Sequence, residues 1–196
     1  MTLLYRIIRS EHYEIDLVMR CLHNLADALH REAWRPDFDL LFLILHYVES
    51  FPATFHHPKE EDYLFKAVRL CSPDSGPILD ELCNDHAEGL DLISELRDSL
   101  ETYVGHPAAR GWFHDAAKKY ARHEREHMRR EEWTILPRAL QVFSKEDWVE
   151  IDATFERNEH PLLRAGRREN FDMLFARIFR RMPGTVVFGS GQKRAA

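Results

Sequence analysis

Residues His56 to Phe65 (HHPKEEDYLF) and His127 to Leu136 (HMRREEWTIL) spell one phrase twice: His-x-x-x-Glu-Glu-x-x followed by two large apolar residues. Four residues along an α-helix turn the chain through about 400° and advance it about 6 Å, so His56 stands beside Glu60, and His127 beside Glu131, on one helical face. Each pair has the reach and chemistry of a metal-ligand arm. A chain that carries two such arms 71 residues apart must fold so that both faces find a place for their polar groups.

A lone histidine precedes each arm in acidic company, His12 in SEHYE and His86 in NDHAE, 74 residues apart. The near-equal spacings point to a duplicated helix pair whose halves face one another across one site. An unpaired buried polar group costs on the order of 1 to 3 kcal/mol, so a histidine on an apolar seam needs a partner. One such histidine reads as a core residue hydrogen-bonded to a carboxylate. Four of them, two locked to a glutamate in a repeated phrase, read as a metal site. Imidazole and carboxylate without a nearby thiolate suit iron or manganese, then zinc, rather than copper or an iron-sulfur cluster. Glu60 and Glu131 acting as bridges imply two ions, with the four histidines shared two and two. Positions then remain open for a small ligand such as dioxygen, nitric oxide or peroxide.

His57 and Glu61 have the same spacing as His56 and Glu60. Counting back eight residues from Leu64 and from Ile135 selects His56 with Glu60 and His127 with Glu131. His57, Glu61 and Glu132 are then expected around the ligands or at the surface. His123, one turn before His127, is open to three roles: a further ligand, a proton relay or an exposed residue. Tyr63, one turn after Glu60, reads as core packing rather than as a neighbour of the metals.

Tyr5, Ile8, His12, Ile15, Met19, Leu22, Ala26 and Leu29 step by three and four and predict a first long helix with His12 on its inward seam. After a break at Trp34-Arg35-Pro36-Asp37, a second helix is expected over about residues 38–70, with Leu41, Leu45 and Val48 inside. Pro52 and Pro58 interrupt it. Each removes a backbone donor and crowds the preceding turn, which predicts a kink or widened turn beside His56. A turn at Ser72 to Pro77 leads to a third helix with Leu79, Leu82, His86, Leu90, Ile93 and Leu100 on its seam. Gly105-His106-Pro107 leads to a fourth with Phe113, Tyr120, His123, His127 and Glu131. The expected fold is all-α: an up-down-up-down four-helix bundle over residues 1–142, with one or two extra C-terminal helices over 143–182 packed on it and a mobile tail over 183–196. The extra helices are placed at Lys145 to Phe155 and Arg168 to Arg181, joined by a loop at Asn158 to Pro161.

With 196 residues, 44% hydrophobic and 31% charged, the chain fits one sizeable core. Cys21, Cys71 and Cys83 lack paired short spacing, so neither a disulfide framework nor a zinc knuckle is suggested. The net charge of −6 disfavours a nucleic-acid partner. The locally basic run KKYARHEREHMRR, residues 118–130, is broken by Glu124 and Glu126 and reads as a solvated helix face. No stretch reads as a membrane span, and MTLLYRIIRSEHYE becomes charged too early for a secretory signal; the expectation is a cytoplasmic protein without a membrane partner. Phosphate-binding glycine loops, a nucleophile elbow and a dinucleotide fingerprint are missing, which leaves nucleotide-driven and serine-hydrolase functions unsupported.

The ordered set of motifs, a lone histidine, His-x-x-x-Glu, a histidine and His-x-x-x-Glu over residues 5 to 140, resembles the hemerythrin-like (HHE cation-binding) family and its bacterial members. The resemblance implies a four-helix bundle around an oxo- or hydroxo-bridged non-haem di-iron centre, with His12, His56, Glu60, His86, His127 and Glu131 as the ligands. Family members bind oxygen, sense oxygen or iron, or protect against nitrosative and oxidative stress. The oxygen carriers have a second histidine four residues after the third-helix ligand, where this chain has Leu90, and an aspartate five residues after the last histidine, where it has Glu132. Those departures speak against a reversible oxygen carrier. The reading is a di-iron protein that binds or senses dioxygen, nitric oxide or peroxide, served by a redox partner. The alternatives are a di-iron enzyme of stress defence that reduces nitric oxide or peroxide or repairs iron-sulfur clusters, and an iron-handling or interaction module with a structural metal.

Overall fold

All elements are helical in the computed structural model, which describes residues 2–30, 35–158 and 161–182. Helix α1 is Leu3–Ala28, α2 is Phe38–Cys71, α3 is Gly76–Gly105, α4 spans 110–142, α5 is Lys145–Asn158 and α6 is Pro161–Arg181. Helix α4 packs against both α1 and α3, α2 packs against α3 and α6, and α1 also meets α5 and α6. Both C-terminal helices are longer than their sequence patterns suggested. Trp34, the centre of the expected loop between α5 and α6, and the expected tail over 183–196 lie outside the described residues.

The core is divided. One apolar cluster contains Ile15, Met19, Leu22, Leu41, Val48, Phe51, Phe55, Ile93, Leu96, Phe113, Tyr120 and Ile178. The other contains Leu4, Ile8, Leu64, Phe65, Leu79, Leu82, Ile135, Leu136, Trp148 and Phe155. On every one of the first four helices the gap between the clusters holds the buried ionisable residues: Glu11 and His12 on α1, His56 to Glu60 on α2, His86 on α3, and Glu124, His127 and Glu131 on α4. Helix α5 closes the second cluster with Trp148, edge-on to Tyr5, and Phe155. Helix α6 closes the first with Leu174 and Ile178.

Helix α2 carries the irregularity that its prolines predict. The His56 N–H reaches back five residues to the Phe51 carbonyl at 2.9 Å, and the His57 N–H five residues to that of Pro52. Wide turns of this kind cover Pro52–His56 and Glu60–Phe65 on α2 and Glu131–Ile135 on α4, next to Pro52, Pro58 and Pro137. A proline has no N–H for the regular ladder, and an inserted residue absorbs the mismatch. By length and composition alone Phe38–Cys71 is long and apolar enough to cross a membrane, at a mean hydropathy of 1.2, though half of that window is buried among other helices.

One seam assignment on α3 needs correction. Leu90 is 55% exposed, and the buried line runs through Leu82, His86, Gly89, Ile93, Leu96 and Leu100. Positions 89 and 90 flank the seam equally in a 3.6-residue period. The helix turns its small residue toward α4, where a Cβ on Gly89 would lie 3.7 Å from His123 Nε2.

Helix α1 has no side-chain cap of its own at Thr2. Asp152 of α5 supplies one, accepting from the Leu3 N–H at 2.8 Å and the Leu4 N–H at 2.9 Å. Asp152→Ala is expected to lower unfolding stability by about 1 to 2 kcal/mol in urea titration, and an unchanged midpoint would show that α1 starts without this cap.

Candidate metal centre

The polar layer gathers six side chains at one level: His12 from α1, His56 and Glu60 from α2, His86 from α3, and His127 and Glu131 from α4, all buried. Their inner atoms converge. His12 Nε2 lies 3.1 Å from Glu60 Oε1 and 3.3 Å from Glu131 Oε2. His56 Nε2 lies 3.2 Å from Glu60 Oε1, His127 Nε2 lies 3.3 Å from Glu131 Oε1, and His86 Nε2 lies 3.6 Å from Glu60 Oε2. Each glutamate therefore stands between histidines of different helices.

The outer nitrogen of every one of these rings meets a carboxylate. His12 Nδ1 donates to Glu132 Oε1 at 3.2 Å, His56 Nδ1 to Glu11 Oε2 at 2.8 Å, His86 Nδ1 to Glu61 Oε1 at 2.6 Å and His127 Nδ1 to Asp85 Oδ2 at 3.2 Å. An ionised carboxylate only accepts, so each Nδ1 carries a proton and Nε2 is the ring nitrogen that faces the interior. A carboxylate on the far side of a histidine fixes ring orientation and raises its strength as a ligand.

Without an ion, protons balance the charge of this layer. Burial by itself pushes His12 down, but Glu131, Glu132 and Glu60 more than reverse it and hold the ring well above the usual histidine range. Burial likewise opposes the charged form of His127, and Glu131 and Glu124 push it up to about 9. Burial would raise Glu60, yet His56 and His12 keep it well below the usual carboxylate range.

Protons do not satisfy every atom. His56 Nε2, Glu60 Oε2 and both carboxylate oxygens of Glu131 are buried without a hydrogen-bond partner. Each of the four meets a neighbouring histidine or glutamate only at 3.2 to 3.6 Å, outside hydrogen-bond geometry. His86 Nε2 and His127 Nε2 are 2.9 Å apart, within hydrogen-bond distance of one another. Two sets, His12 with His56 and Glu60, and Glu60 with His86, His127 and Glu131, have donor atoms close enough to hold a cation, and Glu60 belongs to both. The chemistry of these residues fits a metal cation.

The model of the Hemerythrin HHE cation binding domain matches residues 3–139. The chain belongs to this family. No curated protein and no solved structure matches it. The family match ends before α5 and α6 begin.

Around the six residues, this HHE domain contains more buried charge than its motifs announce. His57 is buried, its ring stacked on His86 at 4.0 Å and 9°, with Nε2 3.3 Å from Glu124 Oε1. It also forms a third possible donor group with His86 and His127. Glu124, expected on a solvated face, is 1% exposed and is held at about 2: burial raises it, but His57 and His127 outweigh that. The correction has a periodic reason, since Phe113, Ala117, Tyr120, Glu124, His127 and Glu131 alternate steps of four and three on one stripe of α4. His123 stands apart, half-buried, with Nε2 donating to the Asp85 carbonyl at 3.0 Å. Tyr63 packs edge-on to Phe155 at 5.2 Å.

Glu11, Asp85 and Lys59 were not singled out by the sequence pattern. Glu11 and Asp85 are each the residue before a lone histidine, and Lys59 is the residue before Glu60. That adjacency is a usable signal: the neighbour of a seam residue on a helix reaches the same layer from its flank.

Because protons hold the metal-binding nitrogens of the ion-free protein, loading is expected to release them. Affinity for a divalent ion should rise as pH increases toward about 9, where His127 gives up its proton. Calorimetric titration in two buffers of different ionisation enthalpy measures the release, and a pH-independent affinity without proton release would contradict this electrostatic account.

Proposed function

We propose that this HHE domain is a cytoplasmic non-haem di-iron protein that binds or senses dioxygen, nitric oxide or peroxide. In this reading the first four helices form an up-down-up-down bundle. His12 and His56 would hold one iron and His86 and His127 the other, with Glu60 and Glu131 completing the donor set. The observation that carries the reading is the two-sided order of the layer: four imidazoles with carboxylates on Nδ1 and inward Nε2 atoms, facing two glutamates that keep three oxygens without a hydrogen-bond partner. Mixed imidazole and carboxylate donors suit iron or manganese before zinc, and the resemblance to the family's di-iron members selects iron.

An iron pair supplies reversible one-electron change and open positions for a small ligand. The chain supplies orientation and exclusion. The four outer carboxylates hold the rings in place, and the apolar clusters above and below keep bulk water from the layer. A surface groove of about 340 Å³ has His12 and Glu132 in its lining, with Arg9, Arg125 and Arg129 at its sides. It offers a small ligand or a redox partner the approach to the His12 edge.

Protein purified without oxygen is expected to contain about two irons per chain by elemental analysis and to change its near-ultraviolet and visible spectrum on exposure to oxygen or nitric oxide. His56→Ala together with His127→Ala should abolish both properties. Full iron retention in that double variant would contradict the ligand assignment, and many cycles of nitric oxide or peroxide reduction with an electron donor would make the protein an enzyme rather than a sensor.

A further inference from the structure

Of the four outer carboxylates, Glu11 is the most deeply buried, at 1% exposure, and it is the most heavily paired. Its Oε2 accepts from His56 Nδ1 at 2.8 Å, while its Oε1 accepts from Lys59 Nζ at 2.5 Å and from Arg168 Nη1 at 3.4 Å. Arg168 lies on α6, beyond the residues matched by the family. Its other nitrogens bind Glu14 of α1 and, at 2.7 Å, Asp172 one turn along α6. Its guanidinium also sits 5.5 Å from the centre of the Phe51 ring, and the neighbouring Phe171 packs on Phe51 and Phe55 at 4.9 and 5.1 Å.

Two of the other outer carboxylates draw cations from within the matched region. Glu132 pairs with Arg9 of α1 at 3.1 Å, and Asp85 pairs with Arg130 of α4. Among these four carboxylates, Glu11 is the one described with a cation from the C-terminal helices.

We propose that Arg168 is a positioning residue for the His56 half of the metal centre, making α6 a working part of the site rather than an appendage. The inference rests on the di-iron reading above. Glu11 can orient His56 only if its own carboxylate plane is fixed. Lys59 is a single point charge on a flexible stem, whereas a guanidinium held by Glu14 and Asp172 restrains Oε1 from a defined direction. Without it the carboxylate gains freedom to rotate, His56 loses its fixed orientation, and the ion held by His12 and His56 leaves more readily. The ion held by His86 and His127 has its own carboxylates and is untouched. The two metals are then unequal, and the Arg168 guanidinium that α6 supplies controls one of them.

The test is release of iron from the loaded full-length protein into an excess of a ferrous chelator, followed by the colour of the chelate. Loss of an outer-shell partner costs about 10- to 100-fold in metal affinity. Arg168 stands one bond further out, so Arg168→Ala is expected to speed the loss of one iron about tenfold, at the lower end of that range, and to leave the second at its original rate. Arg168→Lys should recover part of the difference. Arg168→Gln preserves side-chain length at a partly exposed position and serves if the alanine variant is poorly folded. Phe171→Ala loosens the packing of α6 while keeping the guanidinium, and should not separate the two irons. Equal release of both irons in the Arg168 variants, at the original rate or at the rate of Phe171→Ala, would overturn the inference. Original protein holding no iron at all would instead fail the di-iron reading, a result visible before any variant is compared.

Discussion

Burial of charge between two apolar clusters is the constraint on which this structure depends. Ten ionisable side chains, Glu11, His12, His56, His57, Lys59, Glu60, His86, Glu124, His127 and Glu131, lie in a layer that water does not reach freely. Isolated charges in such a place are prohibitive, and even paired ones return less than their desolvation costs unless every lone pair and proton is matched. The chain meets this demand by alternating acid and base around the layer. The interior glutamates still keep oxygens that no protein group satisfies. A layer that is complete on its outside and incomplete at its centre is arranged for a cation.

The same constraint explains why the helices depart from regularity where they do. The wide turns at Pro52–His56, Glu60–Phe65 and Glu131–Ile135 all fall within or beside the polar layer. A regular helix places its apolar stripe at a fixed drift. An inserted residue resets that drift, so that the apolar residues beyond the layer, Leu64 and Phe65 on α2 and Ile135 and Leu136 on α4, turn back into the second cluster. Pro58 beside His57 and Pro137 after Leu136 make these resets local.

Much of this was legible in the sequence. The repeated phrase named His56, Glu60, His127 and Glu131, and the apolar stepping placed His12 and His86 on inward faces. The prolines announced the wide turn beside His56. Other features depended on which of two neighbouring residues a helix turns inward, and a 3.6-residue period leaves that choice nearly even. Gly89 rather than Leu90 enters the core because α4 comes close there, a tertiary fact. Glu124 was hidden by its charged neighbours: a run rich in arginine and lysine reads as solvent-facing although every third or fourth position of it is buried. Arg168 carried no local signal, because its significance lies wholly in a contact with Glu11, 157 residues away.

The central claim is that six side chains from four helices hold two ions and that Glu60 and Glu131 belong to both. The most direct test is a crystal structure of the iron-loaded protein with anomalous scattering recorded at the iron edge. The account expects two peaks, one between His12 and His56 and one between His86 and His127, each in contact with Glu60 and Glu131. A single peak on the His57, His86 and His127 group, or none in the layer, would contradict it.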